Sequence, residues 1–186
     1  MENLNQFTDD MLVARYSEGD NKAFDELLAR YQGKLFNYIY FIVRSQEVAE
    51  DIFQETFVKA ITTIQQGRYT ASGKFSAWLI RIAHNMIIDG FRQERNENTV
   101  SNDETEMDLL NDADLCDDNI ETQMVNEQTL TDVRRLVDAL PDNQREVVYM
   151  RFYHDLSFKE IADITGVSIN TALGRMRYAL LNMRRI

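Results

Sequence analysis

Between residues 97 and 127 the chain carries 11 acidic residues, no lysine or arginine and no aromatic side chain. A stretch of that composition buries too little apolar surface to offset the entropy of ordering it. It reads as a solvated acidic connector, so the chain folds as two small bodies, 1–96 and 128–186, rather than one. Leu109, Leu110, Leu115 and Ile120 are its apolar exceptions, suited to transient docking on a neighbour.

Composition then narrows the fold class. Hydrophobic residues make up 44% of the chain, enough to build real cores, whereas there are only 7 glycines and 1 proline. A turn-rich β fold needs more of both, so the expectation is all-α: two small helical domains joined by a flexible acidic linker. The single Cys116 has no internal disulfide partner, which fits a reducing compartment. No signal peptide is evident, and the nearly apolar run Leu35–Val43 is too short to span a bilayer. A soluble, cytoplasmic protein is expected.

The net charge of -11 argues at first sight against a nucleic-acid partner. The distribution of that charge argues the other way. Residues 1–96 hold 13 acids against 11 bases, and residues 128–186 hold 9 bases against 7 acids. The connector alone therefore accounts for the acidic excess. From Ala172 to Ile186 the chain has Arg175, Arg177, Arg184 and Arg185 and no acid. A polyanion would meet that local charge, not the global one.

In the N-terminal part, Phe24, Leu27, Leu28, Tyr31, Leu35, Tyr38, Ile39 and Ile42 recur at helical spacing. Ser45 is placed to cap the next helix, with Glu47 in its first turn and Phe53, Phe57, Ala60, Ile61 and Ile64 as its apolar face. Gln65 to Gly73 forms a loop, with Gly67 and Gly73 as breakers. Phe75, Leu79, Ile82 and Met86 mark the buried side of a third strong helix. In the C-terminal part, Leu130, Val133, Val137 and Leu140 form a helix stopped by Pro141, and another runs from about Asn143 to Phe152.

The most specific local signal follows. Ser157-Phe158-Lys159-Glu160 is a capping box opening a short helix with Ile161, Ala162 and Ile164. Gly166 stands where a tight turn needs positive φ, and Ser168 can cap the next helix, which carries the arginines. Short capped helix, glycine turn and basic capped helix make a helix-turn-helix, and small Ala162 lets the two helices cross closely. Asn170, Thr171 and Arg175 are its candidates for base edges, with Arg177 and Arg184 suited to phosphates or bases. The competing reading is an ordinary helical hairpin with a solvated basic face; cap, glycine, cap and arginines in register favour DNA over it.

At this point the chain resembles a known family. LPDNQREVVYMRF followed by LSFKEIADITGVSINTALGRMRYALLNMR is similar to the promoter-binding C-terminal domain of extracytoplasmic function (ECF) sigma factors, a group of the sigma-70 family. AEDIFQETFVKAI resembles the family helix that docks on core RNA polymerase at the beta-prime clamp. FSAWLIRIAHNMIIDGFRQERN resembles the helix that engages the minus-ten element. The resemblance implies a non-enzymatic subunit that binds core RNA polymerase, at the beta-prime clamp and beta flap, and directs promoter-specific initiation. The N-terminal domain would hold the downstream promoter element and the C-terminal domain, with Ser168, Asn170, Thr171, Arg175 and Arg177, the minus-thirty-five element. It also implies an anti-sigma factor, since family members are commonly held inactive by one. No cofactor, metal or small-molecule substrate is implied.

The residues support those roles in their own right. Glu47, Glu50, Asp51, Gln54 and Glu55 lie on the polar side of their helix. For an arbitrary helix a solvated surface is the better reading; the resemblance makes Asp51, Gln54 and Glu55 polymerase contacts, where charge complementarity gives rate and specificity. A metal site made of Glu50, Asp51 and Glu55 lacks a histidine or further acid to complete it. Trp78, Arg81, Asn85, Asp89 and Arg92 follow one another at spacings of three or four. An aromatic, two guanidiniums and an amide on one face suit unpaired bases, although a tryptophan is as readily core. The loop with Arg68, Tyr69 and Lys74 corresponds to the family loop that captures an unstacked base, and QQGRYTASGKF departs from the usual FRGES-type sequence. Leu173 and Gly174 replace the basic and small residues common in relatives. His84, His154 and Cys116 have no ligand partners at metal spacing and read as structural. Two rivals remain: a stand-alone helix-turn-helix regulator of duplex DNA, which leaves the N-terminal resemblance unexplained, and a helical enzyme, for which no catalytic constellation exists.

Overall fold

The computed structural model describes residues 4–71, 74–98 and 133–185. All regular structure among them is helical, and the chain divides into two compact units, Met1–Arg95 and Asn96–Ile186. Of the acidic connector only residues 97 and 98 are described; Leu109, Leu110, Leu115, Cys116, Ile120 and Leu130 lie outside the described residues.

The first unit has a short 3-10 turn, Leu4–Gln6, then helices α1 (Asp9–Ser17), α2 (Asn21–Val43), α3 (Gln46–Gln65) and α4 (Phe75–Asn98). Thr8, Asp20 and Ser45 cap the first three, each side-chain oxygen accepting from a backbone N–H of the first turn. The apolar stripes point inward as their periodicity requires: Leu27, Leu35, Tyr38 and Ile39 of α2, Ala60 and Ile64 of α3, and Phe75 and Leu79 of α4 are buried. Met86, expected at the core, is only half-buried, while Ile80, Ala83 and Ile87 of the same helix are buried. Buried His84 is structural: its Nδ1 lies 3.2 Å from the Tyr38 hydroxyl.

Helix α1 is an addition to the sequence-based expectation, in which the helices begin near Phe24. Nine residues are too few to be stable in isolation. Burial of Leu12, Val13 and Tyr16 against the rest of the unit supplies what propensity does not.

In the second unit a helical segment, α5, covers 133–138, followed by α6 (Asp142–Phe152), α7 (Phe158–Thr165) and α8 (Ile169–Met183). Val137 and Leu140 are buried as expected, whereas Val133 is exposed. Pro141 lies immediately before α6, a position that tolerates its missing N–H. The buried Arg145 of α6 forms an ion pair with Asp142. Asn182 Nδ2 of α8 donates to Gln144 Oε1 of α6 at 2.8 Å. This side-chain bond joins the two helices flanking α7.

Candidate nucleic-acid and protein interfaces

The turn between α7 and α8 is built as the sequence requires. Ser157 Oγ accepts from Glu160 N at 3.3 Å, and Ser157 N donates to Glu160 Oε2 at 2.7 Å, so both halves of the capping box are formed. Gly166 takes φ 69°, the left-handed conformation that a side chain resists. Ser168 then caps α8, accepting from Thr171 N at 3.0 Å, and the Ser168 and Thr171 hydroxyls are 2.9 Å apart. These two candidates are therefore engaged in shaping the helix start while remaining exposed.

Which face of α8 looks outward is decided by what is buried. Ala172, Met176 and Ala179 are buried at i, i+4 and i+7. Asn170, Gly174, Arg177 and Leu181 lie on the opposite side, and Thr171, Arg175 and Tyr178 form one flank. Arg177 is exposed and Arg175 half-buried. Tyr178, which sequence reasoning passed over, is 61% exposed. Its spacing of seven from Thr171 was the available signal. A methyl group added at Gly174 would meet nothing within 4 Å. Packing within the unit therefore does not require this glycine, although mid-helix it costs about 1 kcal/mol relative to alanine.

This geometry ranks the arginines. If α8 meets promoter DNA as the resemblance implies, Arg177→Ala should weaken upstream-element binding by the polymerase complex more than Arg175→Ala does. If Arg177 grips a guanine with both nitrogens, the loss is about 1–3 kcal/mol and base preference relaxes at a single position. If it neutralises a phosphate, all sequences weaken alike and the salt slope falls by about 0.9. Binding to base-substituted promoters over a salt series separates these outcomes, and a larger loss from Arg175→Ala would reverse the ranking.

In the first unit, Glu47, Glu50, Asp51, Gln54 and Glu55 are all exposed on α3. Val58, on the same helix, is 62% exposed. Asp51, Gln54 and Glu55 therefore share an accessible acidic surface. Gln46 Nε2 donates to Glu50 Oε1 at 2.9 Å, the interaction of i and i+4 neighbours. Among the described residues no group of three His, Cys, Asp or Glu side chains is placed to hold a metal ion.

On α4, Arg81, Asn85 and Arg92 are exposed and Trp78 is half-buried. Trp78 belongs to an aromatic cluster, edge-on to Tyr69 with ring centroids 4.7 Å apart and 5.5 Å from Phe75. It thus combines the two readings its type allows, packed on one side and accessible on another. An Arg92 nitrogen lies 3.8 Å from Asp89, an exposed pair of little energetic weight. Arg68 and Lys74 are exposed, whereas Tyr69 is half-buried and its hydroxyl donates to Asp10 Oδ1 at 3.1 Å. The structure brings Tyr69 and Trp78 together; it does not leave Tyr69 free in a solvated loop.

Comparison with known proteins bears on both units. Residues 27–97 match the family Sigma-70 region 2, and residues 130–180 match Sigma-70, region 4. The ECF RNA polymerase sigma-E factor of Escherichia coli is 32% identical over 174 residues, covering 92% of this chain and 90% of that protein. The chain belongs to the ECF RNA polymerase sigma factors. The ECF RNA polymerase sigma factor BldN of Streptomyces coelicolor is 34% identical over 156 residues. That match covers 83% of this chain but only 56% of BldN. Among solved structures, CnrH in complex with the cytosolic domain of CnrY gives a TM-score of 0.62 at 22% identity, with 95% of each chain covered. The sigma factor RpoE in complex with the anti-sigma factor NepR from Bartonella quintana gives 0.65 at 21%, covering 88% of this chain and 96% of that one. At those identities the structural likeness speaks for the fold. Among the described residues, no helix of this sigma factor is long and apolar enough to cross a membrane.

Proposed function

We propose that this sigma factor docks on core RNA polymerase through the acidic face of α3 and holds two promoter elements with two differently built surfaces. One observation carries the reading. α4 offers exposed Arg81, Asn85 and Arg92 beside a half-buried tryptophan, and α8 is the capped second helix of a helix-turn-helix with Arg177 on its outer face. The first suits unpaired bases, which present their flat faces; the second suits the intact major groove. Asp51, Gln54 and Glu55 are the proposed polymerase contacts. Arg68, Tyr69, Lys74, Trp78, Arg81, Asn85 and Arg92 serve the downstream element, and Ser168, Asn170, Thr171, Arg175 and Arg177 the upstream one. Tyr69 serves through its place in the aromatic cluster, and Ser168 and Thr171 partly through the cap they form. The domains are taken as 1–96 and 128–186, joined by 97–127.

Polymerase supplies the phosphoryl-transfer chemistry, and the sigma factor supplies promoter choice and assistance in opening the duplex. This work is cytoplasmic, where polymerase and DNA are. RpoE of Bartonella quintana has been seen with the anti-sigma factor NepR, which supports the expectation that a protein of that kind restrains this one.

The test is run-off transcription from genomic fragments with core polymerase. Specific start sites are expected only when both are present, and the free protein should bind promoter duplex weakly. Tight binding of the free protein, as a dimer on a palindrome, would instead establish a stand-alone regulator.

A further inference from the structure

The geometry points to Asp10 as a positioning residue for downstream-element recognition: its carboxylate fixes Tyr69 against Trp78 and so sets the start of the loop that receives an unpaired base. This inference rests on the proposed role of the α4 surface and adds to it a residue from the other end of the unit.

The loop leaves α3 in a defined direction. Gly67 adopts φ 67°, Gly67 N donates to Ile64 O at 2.9 Å, and Arg68 N donates to Thr63 O at 3.0 Å. That pair of bonds is the Schellman arrangement, which settles the backbone as far as Arg68. Tyr69 comes next and has two kinds of restraint. Its ring lies 4.7 Å from that of Trp78 and 6.0 Å from that of Phe75, and its hydroxyl donates to Asp10 Oδ1 at 3.1 Å. Aromatic contact alone permits sliding and tilting, whereas a hydrogen bond to a charged acceptor fixes the ring's far end.

The turn that carries the acceptor is held firmly. Its neighbour Asp9 takes a hydrogen bond from Arg30 Nη1 at 3.0 Å and another from the Tyr31 hydroxyl. Arg30 also donates to the carbonyl oxygens of Phe7 at 3.0 Å and Leu4 at 3.2 Å. α1 is thus tied to α2 at the turn that carries Asp10. Burial first, and the Asp10 carboxylate next, hold the Tyr69 phenol well above its ordinary pKa, so it remains a donor at physiological pH.

A simpler account is that acids in the first turn of α1 complement the helix dipole. That account serves Asp9 and Asp10 alike and assigns Tyr69 no role. It also leaves a negative charge beside a surface meant for DNA, where a carboxylate without a partner would repel phosphate. Pairing with the Tyr69 hydroxyl gives Asp10 a reason to be there. α1 precedes residues 27–97, the part matched to Sigma-70 region 2, so Asp10 lies outside the matched segment while its partners Tyr69 and Trp78 lie within it.

Trp78 is the only tryptophan of the chain, so its emission reports on this contact without any activity assay. The full-length variants Asp10→Asn, Tyr69→Phe and the double substitution are compared, with Arg81→Ala/Asn85→Ala as reference. Each single change should shift Trp78 emission and reduce initiation from a duplex promoter about tenfold, with closed-complex formation retained. The double variant should be no worse than either single one, because both remove the same bond. Tyr69→Phe keeps the ring and both α1 carboxylates, so it carries the test even if Asp10→Asn folds poorly. Losses that multiply in the double variant, or unchanged emission and initiation in Tyr69→Phe, overturn the clasp. If the reference variant also initiates normally, the single-strand role of α4 falls with it; if only the reference variant is impaired, the clasp alone is wrong.

Discussion

Replacing Arg81 and Asn85 together by alanine should reduce transcription from a fully double-stranded promoter by about 10- to 100-fold, because contacts to an opened strand are worth about 1–3 kcal/mol per base. Both side chains are exposed on α4, so the fold should be retained. The informative quantity is where the loss falls. Unstacking and unpairing a base costs a few kcal/mol, and the proposed surface repays part of that cost only after opening. Closed-complex formation should therefore be largely kept. A template already mismatched across the downstream element should restore much of the activity, since the melting cost is then absent. Arg177→Ala should not be restored that way, because its target stays double-stranded. Rescue of both variants, or of neither, would contradict this division between the two units.

Reversing the charge at two positions of α3, Asp51→Arg with Glu55→Arg, should weaken binding to core polymerase about 100-fold or more. The expectation is that a surface complementary to a basic partner becomes a repelling one, and juxtaposed like charges cost several kcal/mol. Helix α3 itself should tolerate the change. Both side chains are exposed, and arginine is at least as good a helix former as either acid. The main local penalty is like charge between position 55 and Lys59 one turn on, worth a few tenths of a kcal/mol. Melting should shift by only a few degrees. Affinity for core polymerase measured beside thermal melting decides the matter: unchanged affinity makes the acidic face a solvated surface, and a collapse of melting makes it structural.

Much of this architecture is legible in the sequence because its determinants are short-range. The capping box at Ser157 and Glu160, the positive-φ glycine at 166 and the cap at Ser168 each act over three or four residues, and all are formed as expected. The stripes of α2, α3 and α4 are likewise periodic signals that any burying surface would select. The acidic charge of 97–127 divides the chain by composition alone.

What lay beyond the sequence were features whose partners are distant along the chain. α1 has weak local signals, and its stability comes from Leu12, Val13 and Tyr16 finding the core of the first unit. The order of exposure on α8 depends on which side chains meet α6 and α7, and that leaves Arg177 exposed and Arg175 half-buried. Tyr69, expected in an open loop, is fastened to Asp10 across 59 residues of sequence. Helices α2 to α8, the caps at Ser45, Ser157 and Ser168 and the division into two bodies were determined by the sequence itself, because propensity, capping and charge act between near neighbours. Tertiary structure alone decided how the arginines of α8 rank in exposure and which polar side chains are clasped, because packing and a hydrogen bond across a folded unit exist only once distant parts of the chain have been brought together.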